Sequence, residues 1–257
     1  VVLMPGKKMF LVLLIILLIL HTSSAAFAQP GISISDEGIS ITSSDDPQEV
    51  STSIKLLLIL TILTLLPSIL IMMTSFVRII IVLSFLRNSM GTQQIPPNQV
   101  IIGLALFLTF FIMSPVINDI NQNALKPYTE NQITLEEAID RSENSIKDFM
   151  LKHTRDKDLA LFAGLAQIDP PEDLMDLPLT VVVPSFMISE LNTAFRMGFM
   201  LYIPFIVIDM VVASTLMAMG MMMLPPVMIS TPFKILLFLL VDGWNLLTEN
   251  IVKSFLR

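Results

Sequence analysis

Two long runs without a charged residue constrain the fold of this chain more than any other feature of its sequence. The first covers residues 56–77 and the second covers residues 100–117. A helix needs about 20 apolar residues to cross the hydrocarbon core of a bilayer, so the first run is long enough to span it and the second nearly so. We therefore predict a first apolar helical hairpin over residues 51–117.

A polar turn over residues 88–98 joins the two runs, and arginines lie on its N-terminal side at Arg78 and Arg87. Cytoplasmic loops carry an excess of Lys and Arg, so this turn is expected on the cytoplasmic side. Both arginines are expected to mark the membrane edge, with their apolar stems in hydrocarbon and their charges at the surface.

The composition indicates a membrane protein or a membrane-derived assembly. Hydrophobic residues make up 54% of the chain, charged residues only 14%, and the mean hydropathy is +0.77. Average soluble domains carry roughly 25% charged residues. The sequence has no cysteine, which excludes disulfides and thiol-ligated metals, and its net charge of -7 argues against a nucleic-acid partner.

The N-terminus has the three parts of a cleavable export signal. Two lysines precede an apolar run over residues 9–20, and an A-x-A motif follows at residues 26–28. Because the apolar run is too short to span a bilayer, a cleaved signal peptide over residues 1–28 is favoured over a retained anchor. Residues 29–50, rich in Ser, Gly and Asp, are then expected to form a disordered extracytoplasmic arm.

Residues 118–176 are predicted to form an acidic amphipathic helical insert on the periplasmic side. They hold 13 of the 22 acids of the chain and 6 of its 15 bases, hence a local charge of -7. A capping box at Thr134 and Glu137 opens one helix. Its expected apolar face consists of Leu135, Ala138, Ile139, Ile146, Phe149 and Met150. A second short helix is expected to carry Leu159, Phe162, Leu165 and Ala166. His153 stands alone, so a metal role is not expected for it.

Residues 177–257 form a second apolar block. Ordinary membrane-spanning helices are not predicted for it, because charges and prolines interrupt it. Ionisable groups at membrane depth normally face a bundle interior and are paired there. One chain has too few helices to provide that cover, so we expect an oligomer. Three residues are expected to form intersubunit charge pairs that set its register: Glu190, Asp209 and Lys234. The alternative is that each is a charge at a helix end, at the membrane interface.

This block contains five methionines between Met217 and Met223, followed by Pro225 and Pro226. The two prolines are expected to break the helix that arrives from the N-terminal side and to form the tip of a hairpin. Methionine is flexible and polarizable, and it specifies a fixed core poorly. The run therefore indicates either an adaptable constriction, which would make this a gate hairpin, or plain apolar filling between helices.

Two ordered segments carry a resemblance to a known family. Residues 66–84 and 96–109 are similar to the first signature of the FliP/SctR family of type III secretion export-gate proteins. The second signature runs from Ser185 through the methionine run to Trp244. The resemblance covers roughly residues 47–245, and the amino-acid sequence of the turn at residues 90–94 favours the flagellar branch of the family.

The resemblance implies a non-enzymatic, all-α protein whose membrane-associated broken helical hairpins assemble, in several copies, into a multi-subunit helical pore complex. It implies the partners FliQ and FliR, with FlhB and FlhA below them, in the basal body at the bacterial inner membrane. Unfolded flagellar subunits would pass through the centre. Three methionines would form a gasket around that pore: Met221, Met222 and Met223.

Two other classes of protein remain open at this stage. A secondary transporter or an ion channel also uses broken helices, although a transporter usually shows an internal repeat and none is apparent here. An intramembrane hydrolase needs a buried nucleophile with an activating partner. We predict no catalytic residue, no metal and no cofactor, because no nucleophile–base pair, phosphate loop or metal cluster is recognisable.

Overall fold

The computed structural model describes residues 30–35, 38–43, 47–92, 95–169, 171–221 and 223–256. The predicted signal peptide lies outside them. From Pro47 onward the fold is all-α. The helices are α1 (Pro47–Met72), α2 (Phe76–Ser89), α3 (Asn98–Ile120), α4 (Lys126–Thr129), α5 (Leu135–His153), α6 (Asp156–Leu165), α7 (Leu179–Ala218), α8 (Pro226–Leu240) and α9 (Gly243–Lys253), with a π-helical turn at Asn121–Leu125 and a 3₁₀ turn at Leu174–Asp176.

The chain divides into two compact units, Val1–Pro67 and Ser68–Arg257. In the first unit, strands β1 (Pro30–Ser35) and β2 (Gly38–Ser43) pair antiparallel, with Ile32 opposite Ile41. This hairpin differs from the disordered arm expected there. Isoleucine alternates with Ser, Gly and Thr along both segments, and a period of two is the pattern of a strand.

The first apolar run is divided between two helices instead of forming one, which corrects the expectation of a single span over residues 56–77. The break follows Met72, where the Thr74 hydroxyl donates to the Ile71 carbonyl at 3.0 Å and accepts from the Phe76 N–H at 3.4 Å. Short hydroxyl side chains offer the backbone these alternatives to helical hydrogen bonds. An uncharged run therefore does not ensure a continuous helix.

In the part of the chain that the structure describes, two helices are long and apolar enough to cross a membrane: the continuous stretch Asn98–Thr129 and α7. A third span arises only if α8 and α9, which are bent by 65° at their junction, count as one. α7 is a single helix of 40 residues with Pro184 and Pro204 inside it. The sequence expectation of an interrupted block was wrong for this segment, since neither its prolines nor its charges end the helix.

The core of the second unit forms where α2 packs between α3 and α7. Its buried side chains include Ile79, Val82, Leu83 and Leu86 of α2, Ile101 and Ala105 of α3, and Val182, Phe186 and Ala194 of α7. Gly198 permits the close approach of α7 to α2, because a Cβ there would lie only 2.5 Å from the Phe85 ring. The Phe85 ring also meets Phe195 edge to face at 5.3 Å.

Gly198→Ala is expected to destabilise the fold by about 1–3 kcal/mol, the usual cost of overpacking a tight contact. Gly103→Ala is the matched control: Gly103 also lies inside a helix, and a Cβ added there would have no neighbouring atom within 4 Å. Denaturant unfolding of both variants in detergent checks the prediction. Equal midpoints for the two variants would contradict it.

The acidic insert contains the two helices expected from its sequence. Thr134 caps α5 by accepting from the Glu137 N–H at 3.2 Å, as the capping box predicts, while the Glu137 carboxylate instead accepts from Arg141 at 2.6 Å. The expected apolar face is only partly covered. Its buried members are Ala138, Phe149, Met150 and Leu159, whereas Leu135, Ile139 and Leu165 are exposed.

Candidate functional site: a methionine-rich turn mounted on buried ion pairs

The methionine-rich turn (residues 219–225) joins α7 to α8 within the second unit. α7 ends at Ala218 in a Schellman motif: the Met221 N–H donates to the Leu216 carbonyl at 3.0 Å, and the Gly220 N–H donates to the Met217 carbonyl at 3.0 Å. Gly220 has φ +75°, a conformation that glycine adopts without a Cβ clash. The helix therefore ends before the prolines are reached.

Pro225 and Pro226 begin a helix, which corrects the expectation that they end one. Pro225 is the N-cap of α8, and Pro226 is its first residue. Proline suits the first helical position, because its fixed φ is helical and the N–H that it lacks would have no partner within the helix. The two prolines thus define where the second arm of the hairpin starts.

The methionines of the turn, and Met217 in the last turn of α7, have little packing of their own. Met217 is 64% exposed, Met219 67%, Met221 40% and Met223 98%. Met222 lies outside the described residues. Apolar side chains exposed to this extent need a covering surface, which the described part of this chain does not provide for them.

An ion pair with a buried lysine joins the two arms of the hairpin below the turn. Lys234 of α8 lies 2.6 Å from the Asp209 carboxylate of α7 and is 3% exposed. Its Nζ also donates to the Ser89 carbonyl, at the end of α2, at 3.1 Å. Ser230 donates to the other Asp209 oxygen at 2.5 Å. This network holds both arms of the hairpin against the end of α2.

A second buried ion pair ties the middle of α7 to α2 and to the C-terminus. The guanidinium of Arg78 binds both oxygens of Glu190, with Nε donating to Oε2 at 2.8 Å. Arg78 also donates to the Ser254 hydroxyl at 2.8 Å and lies 3.7 Å above the Phe255 ring. Glu190 has no exposed surface and Arg78 only 3%. A planar, two-point contact of this kind fixes the orientation of the two side chains as well as the distance between them.

These pairs differ from the sequence expectations in two respects. Glu190, Asp209 and Lys234 were expected to pair between subunits, and the structure gives each a partner within its own chain. Arg78 was expected at the membrane edge, which was wrong, because its charge is buried against Glu190. The partners are far apart in sequence, 112 positions for Arg78 and Glu190, so no local pattern could have matched them.

A third polar contact links α7 to the acidic insert. Ser189, next to Glu190, donates to the Asp158 carboxylate at 2.6 Å and accepts from the Arg155 backbone N–H at 3.0 Å. Burial by itself raises the pKa of Asp158, but the hydrogen bonds from Ser189 and Arg155 more than offset it, so the pKa is lowered. Asp158 is therefore a carboxylate at neutral pH. The sequence pointed to neither Ser189 nor Asp158.

His153 lies at the end of α5 between two aromatic rings, 4.8 Å from Phe149 and 5.1 Å from Phe255. Burial, followed by the nearby charge of Arg78, lowers its pKa to about 4. The ring is therefore neutral at physiological pH and acts as an aromatic packing element. Among the described residues, no group of three or more His, Asp or Glu side chains is placed to hold a metal ion.

Comparison with known proteins places this arrangement in a family. The sequence model of the FliP family matches residues 59–251. The flagellar biosynthetic protein FliP of Bacillus subtilis (strain 168) is 62% identical over 220 residues, which cover 86% of this chain and 100% of that protein.

The proteins of the same name from Aquifex aeolicus (strain VF5) and Pectobacterium carotovorum are 56% and 54% identical, over 79% and 81% of this chain and 86% and 81% of their own lengths. The match includes α2, α7, both buried ion pairs and the methionine-rich turn. The chain belongs to the FliP family.

Proposed function

We propose that this chain is a pore-forming subunit of the flagellar protein export gate, and that its methionine-rich turn seals the pore. Membership of the FliP family and relatives named flagellar biosynthetic proteins support a role in flagellar export. The apolar helices support association with a membrane. The observation that carries the finer proposal is an apolar turn left uncovered while the helices that hold it are fastened by buried charges.

The hairpin arms are held in place while the methionine side chains of the turn are flexible, and this combination suits a seal. Lys234, Asp209 and Ser89 fix the position of the hairpin arms, while the methionine side chains keep several rotatable bonds. Several copies arranged around one axis would bring their turns together into a ring. Such a ring excludes ions when it is closed, because an apolar constriction dewets, and it can accommodate varied side chains when a polypeptide passes.

The proposed assembly contains several copies of this chain together with FliQ and FliR, standing near FlhB and FlhA, in the basal body at the inner membrane. Large exposed apolar surfaces on α3 and α7 support burial against neighbouring subunits or lipid. Examples are Phe107 at 77%, Phe111 at 68% and Phe199 at 63% exposure. In this proposal the protein binds no cofactor and catalyses no reaction; it passes unfolded flagellar subunits.

Replacing Met221, Met222 and Met223 together with alanine is expected to raise ion leakage through the assembled gate. Each truncation removes flexible volume at the narrowest point, while the arms of the hairpin keep their ion pair. Secretion is expected to persist, because the path is widened. The measurement is ion conductance, or growth under ionic stress, in cells that express the variant with its partners.

A second triple variant controls for the loss of exposed methionine. Met200, Met210 and Met228 are 67%, 67% and 72% exposed, and they lie on α7 and α8 outside the turn. Alanine at these three positions is expected to leave leakage at the wild-type level. If both variants assemble and neither leaks more than wild type, the turn does not form the seal.

The predicted export signal has its own test. N-terminal sequencing of the protein purified from membranes is expected to begin at Gln29, after cleavage at the A-x-A motif. Ala28→Asp is expected to block processing and leave the signal attached, because the cleavage site requires small residues. An intact N-terminus in the assembled wild-type complex would contradict cleavage.

A further inference from the structure

A small apolar cavity lies between α2, α3 and α9, beside the turn that joins α2 to α3. Its volume is about 200 Å³, and its walls are formed mainly by Leu83, Leu86, Val100, Ile101 and Leu104. Pockets for drug-sized ligands usually measure roughly 300–1,000 Å³. A cavity of this size and lining suits a narrow hydrocarbon chain better than a bulky ring system.

Arg87 gives the cavity a positively charged border. It is the charged member of the lining, all of which lies in the described part of the chain. One Nη of Arg87 donates to the Asn98 side chain, and its other N–H groups meet no acceptor among the described residues. Asn98 also begins α3, so the positive end of that helix dipole adds to the field here. An anionic group is therefore favoured at this border.

Trp244 of α9 is also part of the lining. It is 39% exposed, and its ring meets Phe238 edge to face at 5.4 Å. Within the described ranges its indole N–H has no acceptor. Tryptophan is enriched where hydrocarbon meets lipid headgroups, because its ring is apolar and its N–H remains available to a polar partner.

We infer that this cavity holds the first methylene groups of one acyl chain of an anionic phospholipid, whose phosphate is bound by Arg87. The apolar interior accepts the methylene groups, the Arg87 guanidinium binds the phosphate, and the Trp244 indole N–H is a second donor in the lining. Basic pockets between membrane helices on the cytoplasmic side are suited to anionic headgroups. A net negative lipid is favoured over a zwitterionic one, because the ammonium of a zwitterion opposes the guanidinium. This site is independent of the methionine-rich turn.

The test uses the complex of the full chain co-expressed with its partners and reconstituted into phosphatidylcholine vesicles. The vesicles contain a trace of phosphatidylglycerol with a photoactivatable diazirine in one acyl chain, close to its ester group. After illumination, mass spectrometry is expected to find the label on the cavity walls, at Leu83, Leu104 or Trp244. A phosphatidylcholine probe with the same diazirine is expected to label these residues less.

Three variants separate the parts of the inference. Arg87→Gln is expected to lower labelling by the phosphatidylglycerol probe about fivefold, the effect of one basic residue at an anionic surface, and to lower the weaker phosphatidylcholine signal less. Val100→Phe, which adds a ring at the wall, is expected to lower labelling by both probes. Arg196→Gln, at an exposed arginine of α7 outside the cavity, is the matched control and is expected to change neither signal.

Several results would overturn the inference. One is labelling of the walls no stronger than that of the rest of α3. Equal labelling by the two probes, or wild-type labelling in Val100→Phe, would also overturn it. So would crosslinks from the cavity walls to a neighbouring subunit in place of lipid, since a protein side chain would then occupy the cavity.

Discussion

Glu190→Ala is expected to cost about 3–5 kcal/mol of folding free energy, because it leaves the guanidinium of Arg78 buried without its counter-ion. Arg78 would keep only its contacts with Ser254 and the Phe255 ring. Those neutral contacts do not replace a carboxylate that binds two guanidinium nitrogens. The expected result is a large loss of folded chain from membranes and a lower midpoint of unfolding in detergent.

Two comparisons isolate the buried charge. Glu249→Ala removes a carboxylate from an exposed pair with Lys253, and such a pair contributes about 0–1 kcal/mol, so little change is expected. The double variant Arg78→Met with Glu190→Met removes both charges and is expected to recover much of the stability lost in Glu190→Ala. Equal losses in Glu190→Ala and Glu249→Ala would show that the ion pair does not stabilise the fold.

Lys234→Ala is expected to disrupt assembly and motility, at a cost of about 2–3 kcal/mol in stability. This is below the cost for Glu190, because the side chain of its partner Asp209 is 32% exposed and water can solvate the carboxylate that remains. Loss of the Nζ contact with the Ser89 carbonyl also frees α8 from the end of α2. The hairpin that carries the methionine-rich turn would then lose its fixed position.

The measurements are the yield of assembled complex and swimming on soft agar. Lys253→Ala is the matched control, since Lys253 is exposed and pairs only with Glu249 among the described residues. Lys234→Met keeps most of the apolar stem and therefore separates the effect of packing from that of charge. It is expected to reduce assembly and swimming nearly as much as Lys234→Ala does. Normal assembly and motility in Lys234→Met would mean that the charge is dispensable.

The sequence was sufficient where the determining interactions are local. Thr134 and Glu137 are three positions apart, so the start of α5 could be predicted from their spacing. The helical character of the apolar segments and the resemblance to an export-gate family also follow from the order of residues. Which apolar side chains of the acidic insert are buried was predicted less well. Leu135 and Ile139 fit the helical period but remain exposed on this chain, because periodicity does not say what covers a face.

Some local signals were present and were outweighed. Pro225 and Pro226 were expected to end a helix, whereas the Schellman motif at Gly220 ends it first and the prolines then start the next one. The alternation of isoleucine with small residues in the N-terminal arm predicts a strand, but the Ser, Gly and Asp content of the arm favoured disorder. In both places two rules applied to the same residues, and the backbone hydrogen bonds decided between them.

Only the tertiary structure decided which charges meet. Arg78 and Glu190 are separated by 112 positions, and Asp209 and Lys234 by 25. An ion pair depends on a distance of a few ångströms between side chains, and this distance exists only after α2, α7 and α8 have packed. The sequence by itself determined that buried charges in so apolar a chain would need partners, because isolated charges are too costly to bury. The packing of the helices determined that those partners lie within the same chain.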